Sequence, residues 1–182
     1  PGNMLIDYYV QKFFNIPYDK GGEIALKGKV DEDWLQSLMD EPYYSMQPPK
    51  STGRELFNST YAESILKNAP NNKFDIIATI TALTARTIFD AYKKFVLPKT
   101  SIQEIVLGGG GAYNKALIKY LDTYFNNSVI IKTHKDFGID DKFKEAIAFA
   151  MLGFCTLNKK CNNLELCTGA QKRVIMGLIS YS

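Results

Sequence analysis

The chain has 182 residues, of which 46% are hydrophobic and 23% charged, and its formal net charge is +3. Those values exclude wholesale disorder, a collagen-like repeat and a fibrous protein. No apolar run approaches the ~18 residues that a membrane-spanning helix needs, so no membrane partner is expected. The length suits one domain, or one lobe of a larger enzyme, with a core that needs no disulfide or metal staple.

Only three of the 22 basic residues are arginines (Arg54, Arg86, Arg173), and the lysines scatter among acids. That is a solvated surface rather than a nucleic-acid footprint. Cys155, Cys161 and Cys167 have no paired CxxC spacing, so they read as reduced thiols in a reducing, cytoplasmic compartment. The single histidine, His134, cannot build a histidine metal cluster, and no metal ligands are identified. The chain opens Pro1-Gly2-Asn3, without an initiator Met, and goes straight into a helical pattern. This suggests a piece whose N-terminal part lies upstream.

Asn3 is a candidate cap for a helix over residues 3–14, where Met4, Leu5, Tyr8 and Tyr9 recur at helical spacing. Residues 15–29 form a connection through Pro17, Gly21 and Gly22. Asp31 caps a second helix carrying Trp34, Leu35, Leu38 and Met39 as far as Asp40, with Pro42 just beyond. Thr52 and Glu55 have capping-box spacing, which predicts a helix starting near Gly53. Asn71 and Asn72 mark a break before a long helix over 74–96, where Arg86 is expected to snorkel or pair. The period then changes. A strand at 102–107, four glycines, a helix from Ala112 to about Phe125, a strand at 129–133 and a helix over 141–157 predict a parallel pair with a right-handed crossover. A last strand is expected at 174–179. The whole reads as one α/β lobe with additional helices.

Gly108, Gly109, Gly110 and Gly111 between strand and helix are the strongest chemical signal. Glycines let a ligand approach the backbone, and a helix start offers free N–H groups to phosphate. The alternative is a tight turn where strand and helix pack closely. No Gly-Lys-Ser/Thr closes the loop, so it is not a Walker A motif, and Tyr113 stands where a Rossmann fingerprint needs its third Gly or Ala. Downstream, residues 146–154 are apolar on every side, which predicts a buried helix with Glu145 at its mouth. Glu145 stands equally well as a first-turn acid complementing the helix dipole or as a functional carboxylate. Asp7, one turn beyond Asn3, reads first as an exposed acid on a capped helix.

Taken together, the motifs PGNMLID (1–7), PYDKGG with GKV (17–30), PPKSTGREL (48–56), ATITALTARTI (78–88), GGGAYN (109–114), DD…EAIAFA (140–150) and TGA (168–170) resemble the C-terminal half of the anhydro-N-acetylmuramic acid kinase family. The resemblance runs nearly end to end. It implies the C-terminal lobe of an actin-like ATPase, one of two lobes with ribonuclease-H-like cores that close over ATP and Mg2+. It also implies a kinase that opens the 1,6-anhydro ring with water and phosphorylates O6, giving N-acetylmuramic acid 6-phosphate in peptidoglycan recycling. The family's catalytic base is the Asp of Asp-Thr-Gly-Pro-Gly-Asn, which would fall just before Pro1. The N-terminal lobe with the first phosphate loop would also fall outside the chain. By resemblance, Glu145 is the second acid near the sugar, Gly109, Gly110, Gly111 and Asn114 are nucleotide-binding, and Gly2, Asn3 and Asp7 flank the catalytic loop. A homodimer is expected on the same ground.

Two alternatives stay open: a levoglucosan-type anhydrosugar kinase, and an inactive nucleotide-binding module. The groups that read the lactyl and N-acetyl substituents are expected largely in the other lobe. A nicotinamide-binding domain is disfavoured.

Overall fold

A long helix of small and β-branched residues organises most of the chain. The structure, a computed structural model, describes residues 1–140 and 143–180. These residues form two compact units, one made of 1–46 and 51–133, the other of 47–50 and 134–182.

In the first unit, α1 (Met4–Phe14) and α2 (Glu32–Leu38) pack on α5 (Lys73–Ala91), α3 (Pro42–Ser45) follows α2, and α4 (Ser59–Leu66) packs on α1. Leu5, Ile6, Tyr9 and Val10 of α1, Trp34, Leu35 and Leu38 of α2, and Ile76, Ile77, Ile80 and Leu83 of α5 share one buried core. The threonines of α5 are buried without leaving hydroxyls unpaired. The Thr81 hydroxyl donates to Ile77 O (2.8 Å), and that of Thr79 donates to Asp75 O (2.7 Å) while accepting from Asp31 N (2.9 Å). Arg86 pairs with Asp90 at 3.2 Å. Beyond Ala91 the helix widens into a π turn over Tyr92–Val96.

β1 (Glu104–Leu107) and β2 (Ile130–Thr133) form a parallel pair, with Glu104 opposite Ile130 and Leu107 opposite Thr133. The crossover contains α6 (Lys115–Tyr124), whose Leu117 and Leu121 bury against Ala85, Phe125 and Val129. The other unit carries α7 (Lys144–Leu157) and the short α8 (Glu165–Thr168). Its three cysteines are free thiols.

Caps explain the element starts, and also where the sequence misleads. Asp31 accepts from Trp34 N, as its spacing predicts, and Asn72, read only as a break, caps α5 by accepting from Phe74 N. Asn3 makes no side-chain cap, because its own backbone is already helical (φ −86°, ψ −7°). No helix starts near Gly53. The Gly53 carbonyl accepts from Leu56 N and Phe57 N in a single turn, and Asn58 caps α4 five residues later. The helix expected from Ala112 begins at Lys115, because the glycines first wind a 3-10 turn over Gly110–Tyr113 and Asn114 then caps α6. The strand expected at 174–179 is absent among the described residues. The backbone there is claimed by side chains instead: Val174 N donates to Asn163 Oδ1 (2.7 Å) and Met176 N to Asn162 Oδ1 (2.6 Å). Part of the predicted helix start at 141 lies outside the described residues. The largest departure is α7 itself. Predicted to be buried, it has no buried residue, and Phe149 is 73% exposed.

Candidate functional site

Two neighbouring segments near residue 1 and a third about ninety residues further on meet in the first unit around one pocket of about 600 Å³. Asn3, Ile6 and Asp7 enter from the start of α1, Pro17 to Gly21 from the connection after it, and Gly110, Tyr113 and Asn114 from the glycine loop. Each is held by identifiable contacts.

The α1 end is fastened to α5. The buried Thr84 hydroxyl donates to the Gly2 carbonyl at 2.9 Å, and Gly2 itself has φ +62°. The Asn3 side chain lies against the glycine loop. A Cβ on Gly110 would stand 3.3 Å from Asn3 Nδ2, and one on Gly111 would stand 3.4 Å from Asn3 Oδ1. Those two glycines therefore admit a neighbouring side chain. Gly109 differs. At φ +72° it has open space where a Cβ would point, so its backbone is accessible.

The connection is pinned by Asp19, which is almost fully buried. Its Oδ1 accepts from Ile24 N (2.9 Å) and its Oδ2 from Ala25 N (3.0 Å). Gly22, at φ +74°, then packs on the start of α6. A Cβ there would meet Asn114 Oδ1 at 2.3 Å and Ala116 N at 2.8 Å. Asn114 is also buried, and its Oδ1 accepts from Leu117 N at 3.0 Å. Asn114, expected by resemblance to be nucleotide-binding, thus caps α6 through Oδ1 and also lines the pocket.

Asp7 is half-buried in the pocket wall. Burial raises its pKa above the ordinary carboxylate value, and the nearby Asp19 charge adds to the effect. On its other side lies a smaller cavity of about 360 Å³, lined by Met4, Asp7, Tyr8, Arg54 and the residues 57–59. Asp7 is therefore not the exposed helix acid suggested by its spacing. Tyr18, Asp19, Lys20 and Arg54 were not assigned from sequence. Their signal was present in the motifs PYDKGG and PPKSTGRE, but only the fold shows where those loops go. Glu145 belongs to the second unit, where it is exposed in the first turn of α7.

A glycine loop beyond the carboxyl end of a parallel strand, with polar groups converging in front of it, defines an α/β protein with a candidate small-molecule site. The family model for anhydro-N-acetylmuramic acid kinase matches residues 1–182, and the chain belongs to that family. Anhydro-N-acetylmuramic acid kinases from Francisella tularensis subsp. novicida (48% identical over 182 residues), Clostridioides difficile (44% over 181) and Caldanaerobacter subterraneus subsp. tengcongensis (40% over 185) match 99–100% of the chain and 46–47% of their own length. The chain thus spans about half the length of these curated relatives, aligning with a C-terminal part of them.

Proposed function

We propose that this chain supplies the C-terminal lobe, of actin-like ATPase type, and part of the substrate pocket of an ATP-dependent anhydrosugar kinase. The reaction is opening of the 1,6-anhydro ring of anhydro-N-acetylmuramic acid by water, with phosphorylation of O6. The reading rests on one observation: the family motifs PGNMLID, PYDKGG and GGGAYN converge on a single pocket of about 600 Å³, a volume in the usual range for small-molecule sites.

In this chemistry a water O–C1 bond forms and the C1–O6 bond breaks. O6 then bonds to phosphorus as the bond to the departing ADP breaks. The water needs a carboxylate base, assigned by resemblance to the Asp preceding Pro1. Asn3 and Asp7, following it on the same stretch, orient the sugar through its hydroxyls. The open backbone at Gly109, with the N–H groups of Gly110 and Gly111, faces phosphate oxygens. Glu145 acts as the second acid near the sugar. When bound, ATP supplies the phosphoryl group. Among the described residues no group of three His, Cys, Asp or Glu side chains forms a metal site. Mg2+, when bound, would neutralise charge on the nucleotide phosphates, and no step here depends on a protein ligand to it. The enzyme is placed in cytoplasmic peptidoglycan recycling, as a homodimer.

Anhydro-N-acetylmuramic acid carries a lactyl carboxylate that levoglucosan lacks. Arg54, in the cavity beyond Asp7, is the residue of this chain suited to that charge. A chimera tests the reading: these 182 residues replace the matching stretch of the Francisella relative, and ATP-dependent phosphorylation of both sugars is measured. Turnover of anhydro-N-acetylmuramic acid, with Arg54→Ala raising its KM but not that of levoglucosan, is expected. Preference for levoglucosan would move the substrate to that sugar, and silence on both would leave a nucleotide-binding module.

A further inference from the structure

A buried threonine inside a helix ordinarily gives its one hydroxyl proton to the carbonyl a turn earlier in the same helix. Thr79 and Thr81 of α5 do so, to Asp75 O at 2.7 Å and to Ile77 O at 2.8 Å. Thr84 departs from that pattern. Its own-helix carbonyl, Ile80 O, stands 3.5 Å away, at the limit of a hydrogen bond. The Gly2 carbonyl, 82 residues distant in sequence, stands at 2.9 Å. Thr84 is 3% exposed, so solvent does not compete for that proton.

The acceptor sits where the pocket wall begins. Gly2 has the left-handed φ of +62°, and Asn3 after it is already helical at φ −86° and ψ −7°. The Gly2 carbonyl belongs to the rigid peptide plane that joins them, so holding its oxygen sets the direction in which α1 starts. Asn3 O accepts from Asp7 N at 2.8 Å, and this first turn carries the constraint on to Asp7. Both side chains line the pocket, and that of Asn3 lies beside Gly110 and Gly111. On the opposite side, α6 follows the glycine loop and packs on α5 as well. The two walls therefore share α5 as their base, and the Thr84 hydroxyl ties one of them to it.

We infer that Thr84 is a positioning residue: through the Gly2 carbonyl it sets the spacing of Asn3 and Asp7 from the glycine loop, without lining the pocket itself. The assignment rests on the pocket being the substrate site proposed above. A role in stability alone is the alternative, and Thr81, also buried in α5 but bonded only locally, is its control.

Thr84→Val keeps the side-chain shape and removes the donor, whereas Thr84→Ser keeps the donor. In the Francisella chimera, Thr84→Val should lower kcat for anhydro-N-acetylmuramic acid about tenfold, less than the roughly 100-fold of a full 1 Å misplacement. KM should stay within about twofold, because misorientation is felt chiefly in the transition state. Thr84→Ser should restore kcat, and Thr81→Val should leave it unchanged. Unchanged kcat in Thr84→Val, no rescue by serine, or an equal loss in Thr81→Val would overturn the inference.

A second readout is independent of turnover. In the amide proton–nitrogen correlation spectrum of the 182-residue chain, Thr84→Val should move the signals of Gly110 and Gly111, while Thr84→Ser and Thr81→Val leave them in place. Signals that stay in place in Thr84→Val, or move equally in Thr81→Val, would overturn the inference. Signals moved by Thr84→Val alone, beside a chimera silent on both sugars, would count against the kinase reading and not against this one.

Discussion

Replacing Gly22 by alanine tests the way the PYDKGG loop is seated. At φ +74° an alanine pays ~1–2 kcal/mol for the left-handed backbone. Its Cβ would also sit 2.3 Å from Asn114 Oδ1 and 2.8 Å from Ala116 N. The first contact displaces the cap of α6, costing ~1 kcal/mol. The second is with backbone, which can yield only if α6 shifts, at a further ~1–2 kcal/mol. The sum is ~3–5 kcal/mol, within the range reserved for named core defects. Gly21 is the internal control. It has φ +66°, but its Cβ would find only Glu23 Cγ, at 4.0 Å, so Gly21→Ala should cost only the backbone strain of ~1–2 kcal/mol. Urea unfolding followed by the fluorescence of Trp34 separates the two, since this single tryptophan is 4% exposed in the core of the same unit. If Gly21→Ala and Gly22→Ala lower stability equally, the loop is not docked on α6 as described.

Asp19→Ala removes the acceptor for Ile24 N and Ala25 N, and should cost ~2–4 kcal/mol in the same titration, since hydrogen bonds to a charged group contribute ~1.5–3 kcal/mol each before the loop relaxes. A loss below 1 kcal/mol would show that the loop holds itself. Asp7→Asn should raise stability at neutral pH. Burial and the Asp19 charge lift the folded pKa of Asp7 above 3.8, so the ionised form is disfavoured by folding. That penalty is present once pH exceeds the folded pKa and vanishes below the unfolded one. Melting curves from neutral to about pH 3 should therefore converge for wild type and variant as the pH falls, and a constant offset would refute the cause given.

Local chemistry was legible in the sequence wherever one residue decides it. Asp31 caps its helix because an acceptor three residues before a backbone N–H needs no tertiary partner, and Asn72, read as a break, caps α5 in the same local way. The strands on either side of the glycines and α6 were legible from their short apolar runs. Asn3 was misread because its own backbone is already helical, and its side chain lies instead beside Gly110 and Gly111, more than a hundred residues away. The Thr52 to Glu55 spacing failed because Asn58 offers a better cap further on. The pocket needed the fold. Nothing in PYDKGG announces that Asp19 turns its carboxylate inward, or that Gly22 will lie against α6. The apolar pattern of α7 was read correctly as a helix, but none of its described residues is buried, because periodicity reports apolar faces and not what packs on them.

The three motifs build the pocket, and Gly110 lies in its wall, where an added Cβ would stand 3.3 Å from Asn3 Nδ2. The most direct measurement is kcat/KM for phosphorylation of anhydro-N-acetylmuramic acid by the Francisella chimera with and without Gly110→Val. A branched side chain there pushes Asn3 aside and fills the space before the glycine loop. The expected loss is about 100-fold, the scale of a misplacement near 1 Å at a reacting centre, with Tm little changed. Unaltered kcat/KM in a folded Gly110→Val chimera would mean that the substrate lies elsewhere.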